Sequence, residues 1–231
     1  MRVLERWSVV LTVVVAIGFI AWPAAVTAQE TPAEGAQKVA VEGTFVRIGF
    51  NDEGWVTMGF RTANGSVGEK WMLLEVGMTV HKGVKDYTLK RSDIALVTPG
   101  PKVVQLATQS EFQEAGYLRA LNQRADIARD SINYFPPSAT RACAINFFAN
   151  PAGGAGSRLS RDQVDLSQNR ACVGRLFFHI PDGIELGTYN LDVRFADSTI
   201  KVPFQIMTQD EAKEFEKKWK EARKKAKEEE K

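Results

Sequence analysis

The chain holds two cysteines, and they sit in near-identical surroundings: "TRACAINFF" from Thr140 to Phe148 and "NRACVGRLFF" from Asn169 to Phe178. Nothing else in the sequence constrains the fold as strongly, because two thiols allow a single pairing and a bridge would make neighbours of two segments far apart in the chain. Side chains two apart in an extended strand share a face, so Cys143 groups with Ile145 and Phe147, and Cys172 with Gly174, Leu176 and Phe178. Both cysteines thereby fall on the apolar side of a strand, where a structural disulfide between strands or between sheets would be buried. Phe148 and Phe177 fall on the opposite faces and need a cover of their own, for which the helical segment just upstream is the nearest candidate. Three matched residues and a shared Phe-Phe do not make a repeat, since nothing else recurs at that spacing.

A metal site would need more ligands than these segments offer. His81 and His179 are the only imidazoles, His179 lies on the strand face opposite Cys172, and neither cysteine belongs to a C-x-x-C pair. The same scarcity leaves few options for a Ser-His-Asp or Cys-His arrangement, His81 and His179 each reading as a hydrogen-bonded edge residue rather than a general base, and G-x-S-x-G and H-E-x-x-H are absent. The pattern favours a structural disulfide over metal or thiol chemistry; no metal, cofactor or catalytic residue is expected.

The amino terminus supplies the compartment in which such a bridge closes. Arg2 and Arg6 precede an uncharged apolar run from Trp7 to Trp22, and Pro23 leads to a small-x-small site ending at Ala28. That order describes a signal peptide over residues 1–28, cleaved on export to a periplasmic or extracellular setting. A retained anchor is the rival reading, but the run falls short of the roughly 20 apolar residues needed to span a bilayer core. Cleavage takes the formal net charge from +2 to about +1, which leaves no overall field to draw nucleic acid or anionic lipid.

A polar leader covers 29–37, and strand-like runs punctuated by turn residues occupy 38–107. Asn51–Gly54, Ala63-Asn64-Gly65 and Pro99-Gly100-Pro101 read as tight turns; Asn64-Gly65-Ser66 also fits a glycosylation acceptor, with a plain hairpin turn preferred. Over 108–135 the period changes: Leu118, Leu121, Ala125, Ala128 and Ile132 recur every three or four residues, Thr108 with Glu111 forms a capping box, and Pro136-Pro137 stops the helix. Strands return over 138–207, most clearly in "GTYNLDVRFADSTIKVPFQIM", a hairpin with one wet face whose Pro203 points to a sheet edge. Seventeen of the twenty-four residues in 208–231 are charged, so this segment is a helix, opened by Thr208 and Glu211, or nothing.

The stretch "IPDGIELGTYNLDVRF" is similar to the late strands of bacterial immunoglobulin-like modules, which implies a sandwich for the later β unit. It departs from immunoglobulin domains in having no Trp between the cysteines and a short separation between them. The expected fold is mainly β: a small N-terminal antiparallel β unit, a linking helix, a disulfide-stapled immunoglobulin-like sandwich unit and a charged C-terminal helix.

Function is less legible. "NPAGGAGSRLSRD", residues 150–162, lacks the spacing of a phosphate cradle and reads as a mobile loop. Between Lys102 and Lys201 every basic residue except His179 is an arginine, and Arg158, Arg161 and Arg170 could hold an acidic envelope polymer or partner; the alternative is that these arginines pair with Asp126, Asp130, Asp162, Asp165 and Asp192. Ala212, Phe215, Trp219, Ala222 and Ala226 form a narrow stripe on the last helix, suited to a coiled-coil seam or a docking strip, with a solvated helix anchored by Phe215 and Trp219 as the plainer reading. The leading expectation is a non-catalytic exported cell-envelope protein that binds another protein or an acidic surface polymer. Its contacts would be Arg158, Arg161, Arg170, Phe215 and Trp219. The alternatives are a secreted hydrolase using acidic residues and a carbohydrate-binding module using Trp55 or Trp71.

Overall fold

A computed structural model describes residues 37–116, 118–149 and 159–229. The signal peptide, the leader before Gln37 and Arg158 lie outside these. The described chain is mainly β. Its strands are β1 (Lys38–Val41), β2 (Val46–Phe50), β3 (Gly54–Gly59), β4 (Trp71–Val80), β5 (Tyr87–Lys90), β6 (Ile94–Val97), β7 (Val103–Gln105), β8 (Arg141–Ile145), β9 (Gln163–Leu166), β10 (Arg170–His179), β11 (Gly187–Arg194) and β12 (Thr199–Ile206). The helices are α1 (Arg61–Asn64), α2 (Gln109–Glu114), α3 (Leu118–Ile127) and α4 (Gln209–Glu229).

The strands form a six-stranded sheet in the order β1-β2-β3-β4-β10-β8, a four-stranded sheet β12-β11-β6-β7, and a two-stranded sheet β5-β9. The β stretches before and after the linking segment are interleaved: β10 and β8 extend the sheet begun by β1 to β4, while β6 and β7 extend the β11–β12 hairpin. The patterning accounts for this. All ten residues of β4, "WMLLEVGMTV", are buried, so the strand must be central and covered on both faces. It has β3 on one side and β10 on the other, both antiparallel. In β11 and β12 the alternation has one apolar face, with Tyr189, Leu191, Val193, Ile200, Val202 and Phe204 buried, and β12 lies against β2 and β3 to make the sandwich. Pro203 sits on β12, the outer strand of its sheet, as its missing N–H requires.

Two of the three expected tight turns join hairpins. Asn51 accepts from the backbone N–H groups of Glu53 and Gly54 between β2 and β3, and the Thr98–Lys102 bond closes the Pro99-Gly100-Pro101 turn between β6 and β7. The third does not. Ala63 and Asn64 end the short helix α1, and the Asn64 side-chain oxygen accepts from Met207 N–H at 2.7 Å, so this carbonyl serves the junction before α4.

The single helix expected over 108–135 is two helices. The Thr108–Glu111 capping box opens α2, but Gly116 at φ +53° breaks the helix before α3 begins. Leu118, Leu121 and Ala125 are buried as the stripe requires, whereas the helix ends at Ile127 rather than continuing to the proline pair. Beyond it, carbonyls are taken by side chains of the six-stranded sheet: Thr57 Oγ1 donates to Ile132 O at 3.0 Å and Trp55 Nε1 to Tyr134 O at 2.7 Å. These bonds hold the segment on the sheet in a non-helical path. Phe112 of α2 meets Phe148 and Phe177 at ring-centroid distances of 4.9 and 4.8 Å, supplying the cover those two side chains need.

Cys143 and Cys172 form a disulfide between adjacent strands of one sheet rather than between sheets. Its strand partner β8 is at the sheet margin and has β10 as its one neighbour there. Among the described residues no helix is long and apolar enough to cross a membrane. The Thr208–Glu211 capping box opens α4, whose first turns lie against the body.

Candidate functional site

The echo between the two Arg-Ala-Cys segments is a spatial one. β8 runs parallel to β10, with Arg141 opposite Arg170, Ala142 opposite Ala171 and Cys143 opposite Cys172. It is the one parallel pairing among the described strands. Two steps along an extended strand return to the same face, so both arginines share the face of the disulfide, on backbones about 4.8 Å apart. Both are exposed, and neither makes an ion pair or side-chain hydrogen bond among the described residues. The antiparallel register of β10 with β4, carried past Cys172–Met78, leads to the turn after β4; there Gly83 N–H donates to Gln168 Oε1 at 3.1 Å. That bond sets the exposed, unpaired Lys82 beside the turn that leads into Arg170.

The other arginines singled out in the sequence do not join this group. Arg161 N–H donates to Asn146 O just past the far end of β8, roughly 13 Å of extended strand from Arg141, and Arg158 lies outside the described residues. Most of the remaining arginines of the lysine-free stretch are paired: Arg124 with Glu69, Arg129 with Glu75, Arg175 with Glu75 and Asp126, Arg194 with Asp93. Of the five aspartates expected to take them, Asp126 alone does so among the described residues; Asp130 and Asp162 pair with Arg61 and Arg91 from the earlier β stretch.

Phe215 and Trp219 face the body. The Arg47 guanidinium lies 5.1 Å from the Phe60 ring and 5.3 Å from that of Phe215, and Trp219 Nε1 donates to Val41 O at 3.3 Å. Arg47 is itself buried, donates to the carbonyls of Gly43, Thr44 and Val46, and has its pKa lowered by that burial to about 10. From Lys220 on, every described side chain of α4 is exposed, Ala222 and Ala226 included.

A cleft that the sequence did not disclose lies between α3 and the outer face of the six-stranded sheet. It has a volume of about 230 Å³ and opens into a groove of about 760 Å³ along α2 and α3. Phe112, Phe148 and Phe177 line its apolar side. On the polar side Arg175 donates to Asn122 Oδ1 at 2.9 Å and Asp126 Oδ1 at 2.5 Å, and stands 3.5 Å from Glu75 Oε1. Glu75 projects from the centre of β4 and is 6% exposed. Burial raises its pKa above the ordinary carboxylate value, against the opposing pull of Arg175 and Arg129. Glu75 was hidden in the sequence because one acid within an apolar strand carries no spacing signal.

The aromatic and imidazole candidates are built into the structure. Trp71 is buried and stacked on His179 at 4.9 Å; Trp55 is half-buried, stacked on Phe50 at 4.5 Å, with His81 tilted at 6.0 Å. Neither histidine joins a metal cluster, since no group of three or more His, Cys, Asp or Glu side chains converges among the described residues.

Comparison of the chain with protein-family models, curated proteins and solved structures finds no match.

Proposed function

We propose that this chain is an exported, non-catalytic protein of the cell envelope that binds another protein or a surface polymer. The observation that carries the reading is the division of α4 at Trp219. Ala212, Phe215 and Trp219 fasten its first half to the body, while the described side chains from Lys220 to Glu228 are all exposed. A helix anchored at one end and solvated at the other presents an arm to a partner without weakening the domain that carries it. The signal-like amino terminus and the Cys143–Cys172 disulfide support export, because such bridges persist in oxidising compartments. The test is crosslinking in intact cells, followed by capture with the mature chain and with a chain ending at Trp219. Loss of one defined envelope component on truncation supports the reading; identical catches count against it.

A second reading, a secreted hydrolase using acidic residues, is favoured by one observation. Glu75, with its raised pKa, and Asp126 share Arg175 in an aromatic-lined cleft, a setting that suits a general acid. Against it, Arg175 engages both carboxylates and ties up the groups that catalysis would need free. Hydrolysis of a panel of nitrophenyl glycosides by the native chain, abolished in both E75Q and D126N, would replace the binding reading with this one.

A further inference from the structure

We infer that the paired Arg-Ala-Cys segments build an anion site, with Arg141 and Arg170 as its two jaws and Lys82 at its rim, and that its ligand is a carboxylate-bearing polysaccharide. This names a polymer for the envelope-binding reading and rests on that reading for its setting. Its chemistry stands on β8, β10 and the turn after β4.

The argument begins with a cost. Two like charges directly opposite on neighbouring strands repel, and a fold selected only for stability would separate or neutralise them. Here the parallel register places the two arginines directly opposite each other on adjacent strands, and no carboxylate among the described residues answers either of them. The nearest acid in sequence, Asp165, accepts instead from Thr88 Oγ1 at 2.8 Å. The disulfide two residues along holds the juxtaposition, since β8 is a marginal strand of five residues that could otherwise slip or detach. A cross-link at equal offset from two arginines keeps them level, which accounts for the same tripeptide occurring in both strands.

Two level guanidiniums can grip one carboxylate group from both sides, each through paired N–H donors. The surroundings favour a polysaccharide over a protein. None of the principal clefts among the described residues is lined by Arg141, Arg170 or Lys82, so none of them seats beside the arginines the hydrophobic anchor that protein interfaces centre on. A polymer with regularly spaced carboxylates needs only the charges, and Lys82 extends them beyond the first group.

The experiment uses the mature, oxidised chain and a carboxylated polysaccharide, oligogalacturonate, with poly-glutamate and inorganic sulfate as comparison probes at matched ionic strength. Binding is read by calorimetry and by the rise in melting temperature. The expected result is saturable oligogalacturonate binding, weakened at least tenfold in R141Q and in R170Q and only partly restored in R141K and R170K, with unchanged far-ultraviolet circular dichroism. Without ligand, R141Q and R170Q should melt no lower than the native chain, because each relieves the repulsion. No binding, equal binding by the glutamine variants, or poly-glutamate binding as tight as the polysaccharide would overturn the proposal. So would a response to sulfate alone. The chain ending at Trp219 should bind oligogalacturonate normally, so failure of the arm and failure of the anion site are read separately.

Discussion

Trp219 donates its indole N–H to the carbonyl of Val41 at 3.3 Å, tying the last helix to the outermost strand of the six-stranded sheet. An edge strand of four residues with exposed Val39 and Val41 is a template for unwanted pairing, and a helix across it blunts that hazard. Cutting the chain after Trp219 should leave the urea midpoint unchanged. Cutting after Met207 removes Ala212, Phe215 and Trp219 from the body and should cost about 2–4 kcal/mol, with soluble aggregates visible by light scattering. Equal midpoints for the two truncations would show that α4 contributes nothing to the fold.

Gly174 lies opposite Ile145 at the end of the β8–β10 pairing. A Cβ placed there would lie 2.3 Å from the Ile145 carbonyl oxygen and 2.7 Å from the Ile145 side chain. Backbone cannot yield as a side-chain tip can, so Gly174→Ala should push the end of β8 off the sheet and destabilise the protein by about 2 kcal/mol or more. Amide exchange should rise along β8 while β3 and β4 stay protected. An alanine variant as stable as the native chain would mean that the two strands can part without loss.

Glu75 gives stability a pH dependence of known sign. Its pKa is raised in the folded state, chiefly by burial, so the fold favours the protonated acid. That advantage is complete below the ordinary glutamate pKa and is lost as pH rises through the raised value, where ionising the carboxyl opposes folding. Glu75→Gln keeps the shape and cannot ionise. The melting temperature of the native chain relative to E75Q should therefore fall between pH 4 and pH 7, and a difference that stays flat or rises across that window would contradict the assignment.

What could be read from the sequence follows the range of the interactions. Alternation in Tyr189–Phe195 and Ile200–Ile206 predicted the β11–β12 hairpin, and the two Thr–Glu capping boxes predicted both helix starts, because these signals are carried by residues within a few positions of one another. The helix break at Gly116 was local as well, yet one glycine in a periodic run is ambiguous until its φ is known. The interleaving of strands was not legible, since the pairing of β4 with β10 links residues about a hundred positions apart and nothing in either strand names the other. The same distance hid the cleft: Glu75, Asp126 and Arg175 lie on three elements, and only the fold brings them together. The cysteine pairing was legible because only one was possible, but the parallel register that sets Arg141 beside Arg170 was not.

That register makes the disulfide's contribution local as well as global. Closing a loop over a separation of 29 residues is worth about 3.6 kcal/mol in the chain-entropy account, and Cys143→Ser with Cys172→Ser should lower the urea midpoint accordingly. The larger effect should fall on β8, whose pairing in the sheet is with β10 alone; β4 by contrast is held on both sides. Amide exchange measured on the doubly substituted chain should approach unprotected rates from Arg141 to Ile145 and remain slow in β4 and in the far half of β10, around Leu176 to Phe178, which is antiparallel to β4. If β8 kept its protection while the whole domain lost stability evenly, the register would be held by the Phe112–Phe148–Phe177 cluster just beyond the strand, and the cross-link would act on the unfolded chain only.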